Sequence, residues 1–118
     1  MNISFLTNDL LFSSRVTGIA EDQGHLVKIA PNLEQLVAVT ETFSPSLILL
    51  DLSSLSAEVQ TMVTEIRRVY PQVPIVAYGP HVHTARLNAA REAECEQVMT
   101  RGTFDQQIGN ILSQHAAN

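Results

Sequence analysis

Five short apolar runs alternate with five segments of helical period along this chain, and that alternation leaves few ways to fold. The runs are "ISFLT" (3–7), "HLVKIA" (25–30), "LILLD" (47–51), "VPIVAY" (73–78) and "EQVMT" (96–100). Between them, Phe12, Val16, Ile19 and Ala20 form one apolar helical stripe, and Leu33, Leu36, Val37 and Thr40 form a second. Val59, Met62, Val63 and Ile66 repeat the pattern, as do Phe104, Ile108, Ile111 and Leu112. Segment 83–93 carries only Leu87 as a large apolar residue among alanines, which predicts a short, lightly anchored helix. Asn32 with Gln35, and Thr103 with Gln106, have the spacing of an N-cap and its N3 partner, so helices are expected to start at both places. Gly24 is placed to close the first helix, and Pro45, Pro71 and Pro74 punctuate the approaches to the third and fourth runs. Strict βα alternation requires right-handed crossovers. It predicts an α/β fold, a doubly wound five-stranded parallel sheet with helices on both faces. The "LILL" run lacks polar alternation, as expected of a central strand covered on both sides.

The 118 residues suffice for one core, so a single domain over 1–118 with no output domain is expected. A net charge of -5 with only seven Lys plus Arg excludes the clustered basic face that nucleic-acid binding needs. No apolar run approaches the roughly 20 residues that span a bilayer, and the N-terminal stretch lacks a basic region before its apolar residues. Neither membrane nor nucleic acid is therefore an expected partner, and the cytoplasm is the expected location. Cys95 is the only cysteine, so no internal disulfide can form; flanked by Glu94 and Glu96, it reads as a structural thiol.

In a doubly wound sheet the functional crevice lies at the carboxyl ends of the strands. The residues at that rim are Thr7, Asn8 and Asp9, then Asp51, then Gly79, Pro80 and His81, then Arg101 and Gly102. Asp51 has two readings: a group with chemistry to perform, or a side chain that ends its strand by capping the following turn. His81 and His83 stand in an H-x-H spacing after the Gly79-Pro80 turn. Two histidines alone are too few for zinc, so a metal there would need a third ligand from Asp51 or Asp9. The alternative places His81 over the pocket, bonded to Asp51 or a backbone carbonyl, with His83 in solvent. No G-x-G-x-x-G, P-loop, G-x-S-x-G or C-x-x-C is present, so nucleotide, hydrolase and dithiol readings lack their parts.

With Asp51 closing the third strand of a (βα)5 pattern of this length, the whole chain resembles the receiver domain of two-component response regulators. The resemblance implies a flavodoxin-like sheet in the order 2-1-3-4-5. It also implies a phosphoacceptor at Asp51, an acidic Mg²⁺-binding pair after the first strand, a Ser or Thr ending the fourth strand, and a Lys ending the fifth. Only Asp51 matches outright. The acidic pair aligns with Thr7 and Asn8, with Asp9 one place on; the hydroxyl aligns with Gly79, the Lys with Arg101, the following Pro with Gly102, and the aromatic switch position with Val98.

Mg²⁺ prefers carboxylate and water oxygens, so a hydroxyl and an amide in place of two carboxylates weaken its site, although Asp9 with Asp51 would supply two ligands if the turn is remodelled. Arg101 keeps a positive charge on a larger planar fork and is expected to form a bidentate pair with Asp51. The chain therefore resembles an atypical or pseudo-receiver that requires no cofactor. It is expected to act through a protein partner, a histidine kinase or another signalling protein, with a homodimer also open. The resemblance places Tyr70, Leu87 and Val98 in a region receivers use for docking. The competing functions are a working phosphotransfer receiver, and a small-ligand or metal-binding enzyme built on His81, His83 and Asp51.

Overall fold

The computed structural model describes residues 1–38 and 42–117. Strands β1 (Asn2–Leu6), β2 (Leu26–Ala30), β3 (Leu47–Asp51), β4 (Ile75–Gly79) and β5 (Gln97–Thr100) form one parallel sheet in the order β2-β1-β3-β4-β5. The helices are α1 (Leu10–Asp22), α2 (Leu33–Leu36), α3 (Val59–Val69), α4 (Thr84–Glu92) and α5 (Arg101–Ala116), and a 3-10 turn covers Leu52–Ser54. This is the doubly wound five-stranded architecture that the alternation of apolar runs requires, and the strand order is the one the receiver resemblance implies.

Several boundaries follow from local chemistry. Asn32 accepts the Gln35 amide at 2.8 Å, as its spacing predicts. Gly24 adopts φ +82 after α1, a left-handed conformation that glycine takes without steric penalty. Pro74 lacks the N–H a central strand must donate, so β4 starts at Ile75 rather than at 73 and runs one residue further, through Gly79. Thr103 is not an N-cap. Thr100 fills that role, accepting the Thr103 amide at 3.3 Å, so α5 begins directly at Arg101. Thr40, expected on the second helical stripe, lies outside the described residues.

Side-chain parity sorts the core into two layers of different composition. Ile3 and Phe5, Leu47 and Leu49, and Val76 and Tyr78 face α1 and α5, where they join Phe12, Val16, Phe104 and Ile108. Tyr78 stacks on Phe104 with centroids 4.4 Å apart, and Phe12 meets Tyr78 edge-on at 5.5 Å. The opposite face is aliphatic: Leu6, Ile48, Leu50, Ile75 and Ala77 pack against Val59, Met62, Val63 and Ile66 of α3, and Leu87 and Ala90 of α4. Burying each large side chain contributes about 1.5–3 kcal/mol, so both faces of β3 anchor the fold. The same parity puts Asp51 and, one residue past β1, Thr7 on the aromatic side with Tyr78, and puts Gly79 and, one residue past β3, Leu52 on the aliphatic side. Asp51 pairs in register with Tyr78.

Candidate functional site

Asp51 is buried, with 3 % of its surface exposed, and its carboxylate accepts four hydrogen bonds. Thr7 Oγ1 and Ser54 Oγ donate to Oδ2 at 2.7 and 2.9 Å; Ser53 Oγ and the Ser53 amide donate to Oδ1 at 2.7 and 3.0 Å. A carboxylate offers about four lone-pair sites, so these donors fill it. Two of the hydroxyls are relays. The Asp9 amide donates to Thr7 Oγ1 at 3.0 Å and the Asn8 amide to Ser54 Oγ at 2.9 Å, which ties the β1–α1 turn to Asp51. The Ser53 amide bond is the turn-capping arrangement that a strand-ending Asp can make.

Arg101 does not pair with Asp51. Because α5 starts without an intervening loop, Arg101 lies in its first turn and reaches sideways to the start of α1, where Nη2 donates to Asp9 Oδ2 at 2.8 Å. Its guanidinium also covers the Phe12 ring, 4.4 Å from the centroid. Asp9 spends its other oxygen capping α1, with Oδ1 accepting the Phe12 amide at 3.0 Å. Both carboxylates that a divalent cation would need are thus committed to other partners. Among the described residues no group of three or more His, Cys, Asp or Glu side chains is placed to hold a metal. The donor set does not fit Mg²⁺, a hard ion that needs free oxygen ligands.

The fourth-strand position explains its own glycine. A Cβ on Gly79 would sit 3.3 Å from Leu52 Cβ, 3.6 Å from Leu52 Cδ1 and 3.8 Å from Leu87 Cδ2. Leu52 is fully buried and occupies the space into which a side chain at position 79 would project. The expected bond from His81 to Asp51 is not formed: His81 and His83 are both exposed, and the acceptors of Asp51 are taken by Thr7, Ser53 and Ser54. Exposure of His83 agrees with expectation. The suggested docking patch changes too, since Leu87 is buried and Tyr70 and Val98 are half-buried against the aliphatic core. Cys95 is half-buried there as well, and burial pushes its thiol up to about 11, against reactivity.

Five participants are not apparent from residue type. Ser53 and Ser54 stand in the sequence as the hydroxyl pair after Asp51, but their bonds depend on the 3-10 turn. Leu52 looks like any core leucine, and Arg86 of α4, which donates to the carbonyl oxygens of Leu52 and Leu55, has no local signal. The fifth is Tyr78, 1 % exposed, whose hydroxyl has no hydrogen-bond partner among the described residues. Burial first, then the Asp51 charge, pushes that phenol far above its ordinary range. The nearby Thr7 hydroxyl is directed to Asp51 instead.

Clefts formed by described residues lie near this rim. One of about 300 Å³ is bounded by Phe12, Arg15, Arg101, Gly102 and Asp105. Another, about 500 Å³, runs between the start of α3 and α4 and is bounded by Ala57, Glu58, Val59, Ala85, Arg86 and Ala89, among others. Asp51, His81 and His83 line neither. No helix among the described residues is long and apolar enough to cross a membrane.

No family model matches the chain. No curated protein matches it either. Solved structures do. A putative response regulator from Chloroflexus aurantiacus superposes with a TM-score of 0.82 at 13 % identity, covering 99 % of this chain and 98 % of that one. The receiver domain of a sensor histidine kinase from Pseudomonas aeruginosa, with a magnesium ion coordinated in its active-site cleft, gives 0.81 at 16 % identity, covering 99 % and 98 %. An orphan response regulator of H. pylori gives 0.76 at 9 % identity, covering 99 % and 94 %. With the aspartate-ended third strand and the β2-β1-β3-β4-β5 order, these matches show that the chain has the fold of the response regulator receiver domain.

Proposed function

We propose that this chain is a receiver-type signalling domain that works by contact with a protein partner and does not use Asp51 as a phosphoacceptor. One observation carries the reading: the Asp51 carboxylate is buried and fully hydrogen-bonded by Thr7, Ser53 and Ser54. An oxygen that attacks phosphorus must present a free lone pair to an in-line phosphoryl group, and charge on that group needs a metal and a cation to balance it. Here the cation, Arg101, is held by Asp9, and the hydroxyl position is a glycine backed by Leu52. The reading also makes Mg²⁺ unnecessary. Asp51 then works as the hub joining the β1–α1 turn to the turn after β3, which holds the rim in one shape for recognition. The partner class this supports is a histidine kinase or another signalling protein, the context in which receiver folds such as the Pseudomonas match are found.

The test is to incubate the protein with acetyl phosphate and Mg²⁺ and weigh it intact. The expected result is an unchanged mass, and unchanged amide resonances for Thr7, Asn8, Asp9 and Asp51 on titration with millimolar Mg²⁺. A gain of one phosphoryl group that disappears in Asp51→Asn would overturn the proposal. An enzyme built on His81, His83 and Asp51 has no support in this geometry, because the two histidines are exposed and line neither cleft.

A further inference from the structure

Helix α4 has little of its own to hold it. Within Thr84–Glu92 only Leu87 and Ala90 are buried, and its N-cap residue, His83, makes no side-chain cap bond. The first turn instead grips the segment that follows Asp51. Arg86 Nη1 donates to the carbonyl oxygen of Leu52 and, at 3.4 Å, to that of Leu55, while the next residue, Leu87, packs beside the Leu52 side chain over Gly79. Consecutive residues of α4 therefore hold Leu52 by its backbone and by its side chain. The same turn is fastened from the other direction by Ser53 and Ser54 on Asp51, and Ser54 also accepts the Asn8 amide. A continuous set of bonds thus runs from the β1–α1 turn through Asp51 and the 3-10 turn to Arg86. Beyond Arg86 lies the cleft of about 500 Å³ between α4 and the start of α3, which is space on the flank that the arginine spans.

We propose that Arg86 is a latch that couples the turn closed on Asp51 to the position of α4. Closed, it fixes the first turn of α4 against Leu52 and Leu55. Released, it leaves α4 held by its thin apolar stripe, with the adjoining cleft as room to move. Arg86 suits the task because a single charged nitrogen, Nη1, bridges the two carbonyl oxygens, and hydrogen bonds from an ionised donor are stronger than neutral ones. This inference goes beyond the proposed function: it concerns how the Asp51 turn and α4 move together, and its test contains no phosphate, metal or partner.

The experiment measures amide hydrogen exchange through α4, at Leu87 and the residues after it, in a two-by-two set of variants. One change is Ser53→Ala with Ser54→Ala, which removes both side-chain bonds from the turn to Asp51 and leaves only the backbone amide of residue 53 on it; the other is Arg86→Gln, with Arg86→Met as a second form that keeps the apolar stem. With Arg86 present, loosening the turn is expected to speed α4 exchange roughly five-fold, the scale of a modest local coupling. In the Arg86→Gln or Arg86→Met background the same serine changes are expected to add nothing, because the link is already cut. Exchange in α5 serves as the control and stays constant. Equal acceleration with and without Arg86, or none while Arg86 is present, overturns the latch.

Discussion

The two flanks of Asp51 are built on opposite principles. Toward α4 the contacts are buried and shape-dependent: Leu52 is sealed from solvent against Gly79 and Leu87, and Arg86 closes over the turn. Toward α1 and α5 they are charged and wet, with Arg101 and Asp9 retaining 49 % and 38 % of their side-chain exposure. A site that must admit a phosphoryl group and a cation needs an open, unpaired polar flank. This one has filled the first flank with a leucine and neutralised the second with an ion pair. Substitutions on the buried flank and at the hub should therefore act through packing and unsatisfied donors, and those on the exposed flank through weak electrostatics.

The hub itself gives the largest expected effect. Asp51→Ala removes one acceptor group and strands four donors, two of them on the buried Thr7 and the Ser53 backbone, which should destabilise the fold by about 2–4 kcal/mol. Urea unfolding checks this through a lower midpoint at unchanged slope. Asp51→Asn should cost about half as much by the same reasoning, since hydroxyls can reverse their donor role and a backbone amide cannot. If Asp51→Ala is neutral, the carboxylate is not the organiser proposed for it.

Next in size is the packed flank. Gly79→Thr restores the hydroxyl that the receiver resemblance expects, but its Cβ would sit 3.3 Å from Leu52 Cβ, tighter than an ordinary contact. Overpacking of this kind costs about 1–3 kcal/mol. Leu52→Ala keeps its Cβ but removes the Cδ1 at 3.6 Å, opening room for the γ atoms of the threonine, so pairing the two changes should recover part of the loss, a non-additive outcome that denaturant midpoints of the two single variants and the double variant would reveal. Additive losses would show that the two residues do not compete for one space.

Most of the fold is legible in the sequence because its signals are local or periodic. The "LILL" run, the Val59/Met62/Val63/Ile66 stripe and the Asn32 cap each depend on a few neighbouring residues, and each stands where the pattern puts it. The site is legible as positions but not as bonds. Asp51, Thr7 and Asp9 do lie together at the rim, yet the partner of Arg101 turns on a single boundary. With Thr100 rather than Thr103 as the cap, Arg101 enters a helix and its side chain meets Asp9 at the start of α1. The expectation for His81 fails for a related reason: its reach to Asp51 presumes free acceptors, and hydroxyls within three residues of Asp51 have the shorter path. Arg86 joins carbonyls more than thirty residues away, and no spacing rule encodes that.

Tyr78 offers a sharper contrast between the hub and the aromatic layer beneath it. Its ring stacks on Phe104 and belongs to the core, while its hydroxyl is buried without a partner among the described residues, beside a carboxylate that four other donors have filled. An unsatisfied buried hydroxyl costs about 1–3 kcal/mol, so Tyr78→Phe, which keeps the ring, should raise stability by about 1 kcal/mol. A higher thermal midpoint is the readout, and a lower one would mean that the phenol is engaged after all.

The smallest effect belongs to the exposed flank. Arg101→Ala removes an ion pair between two partly exposed groups, worth about 0.2–1 kcal/mol, and a guanidinium contact with Phe12 of about 0.5–1 kcal/mol. Only the first is strongly screened by salt. The loss should therefore shrink, without vanishing, between low and high ionic strength, whereas Asp9→Asn, which keeps a capping oxygen for the Phe12 amide, should lose nearly all of its effect in salt. Comparing the two series by urea midpoint separates charge from stacking on this flank. A salt-independent loss in both would mean that the pair acts by packing, and that the two flanks of Asp51 differ less in kind than their exposure implies.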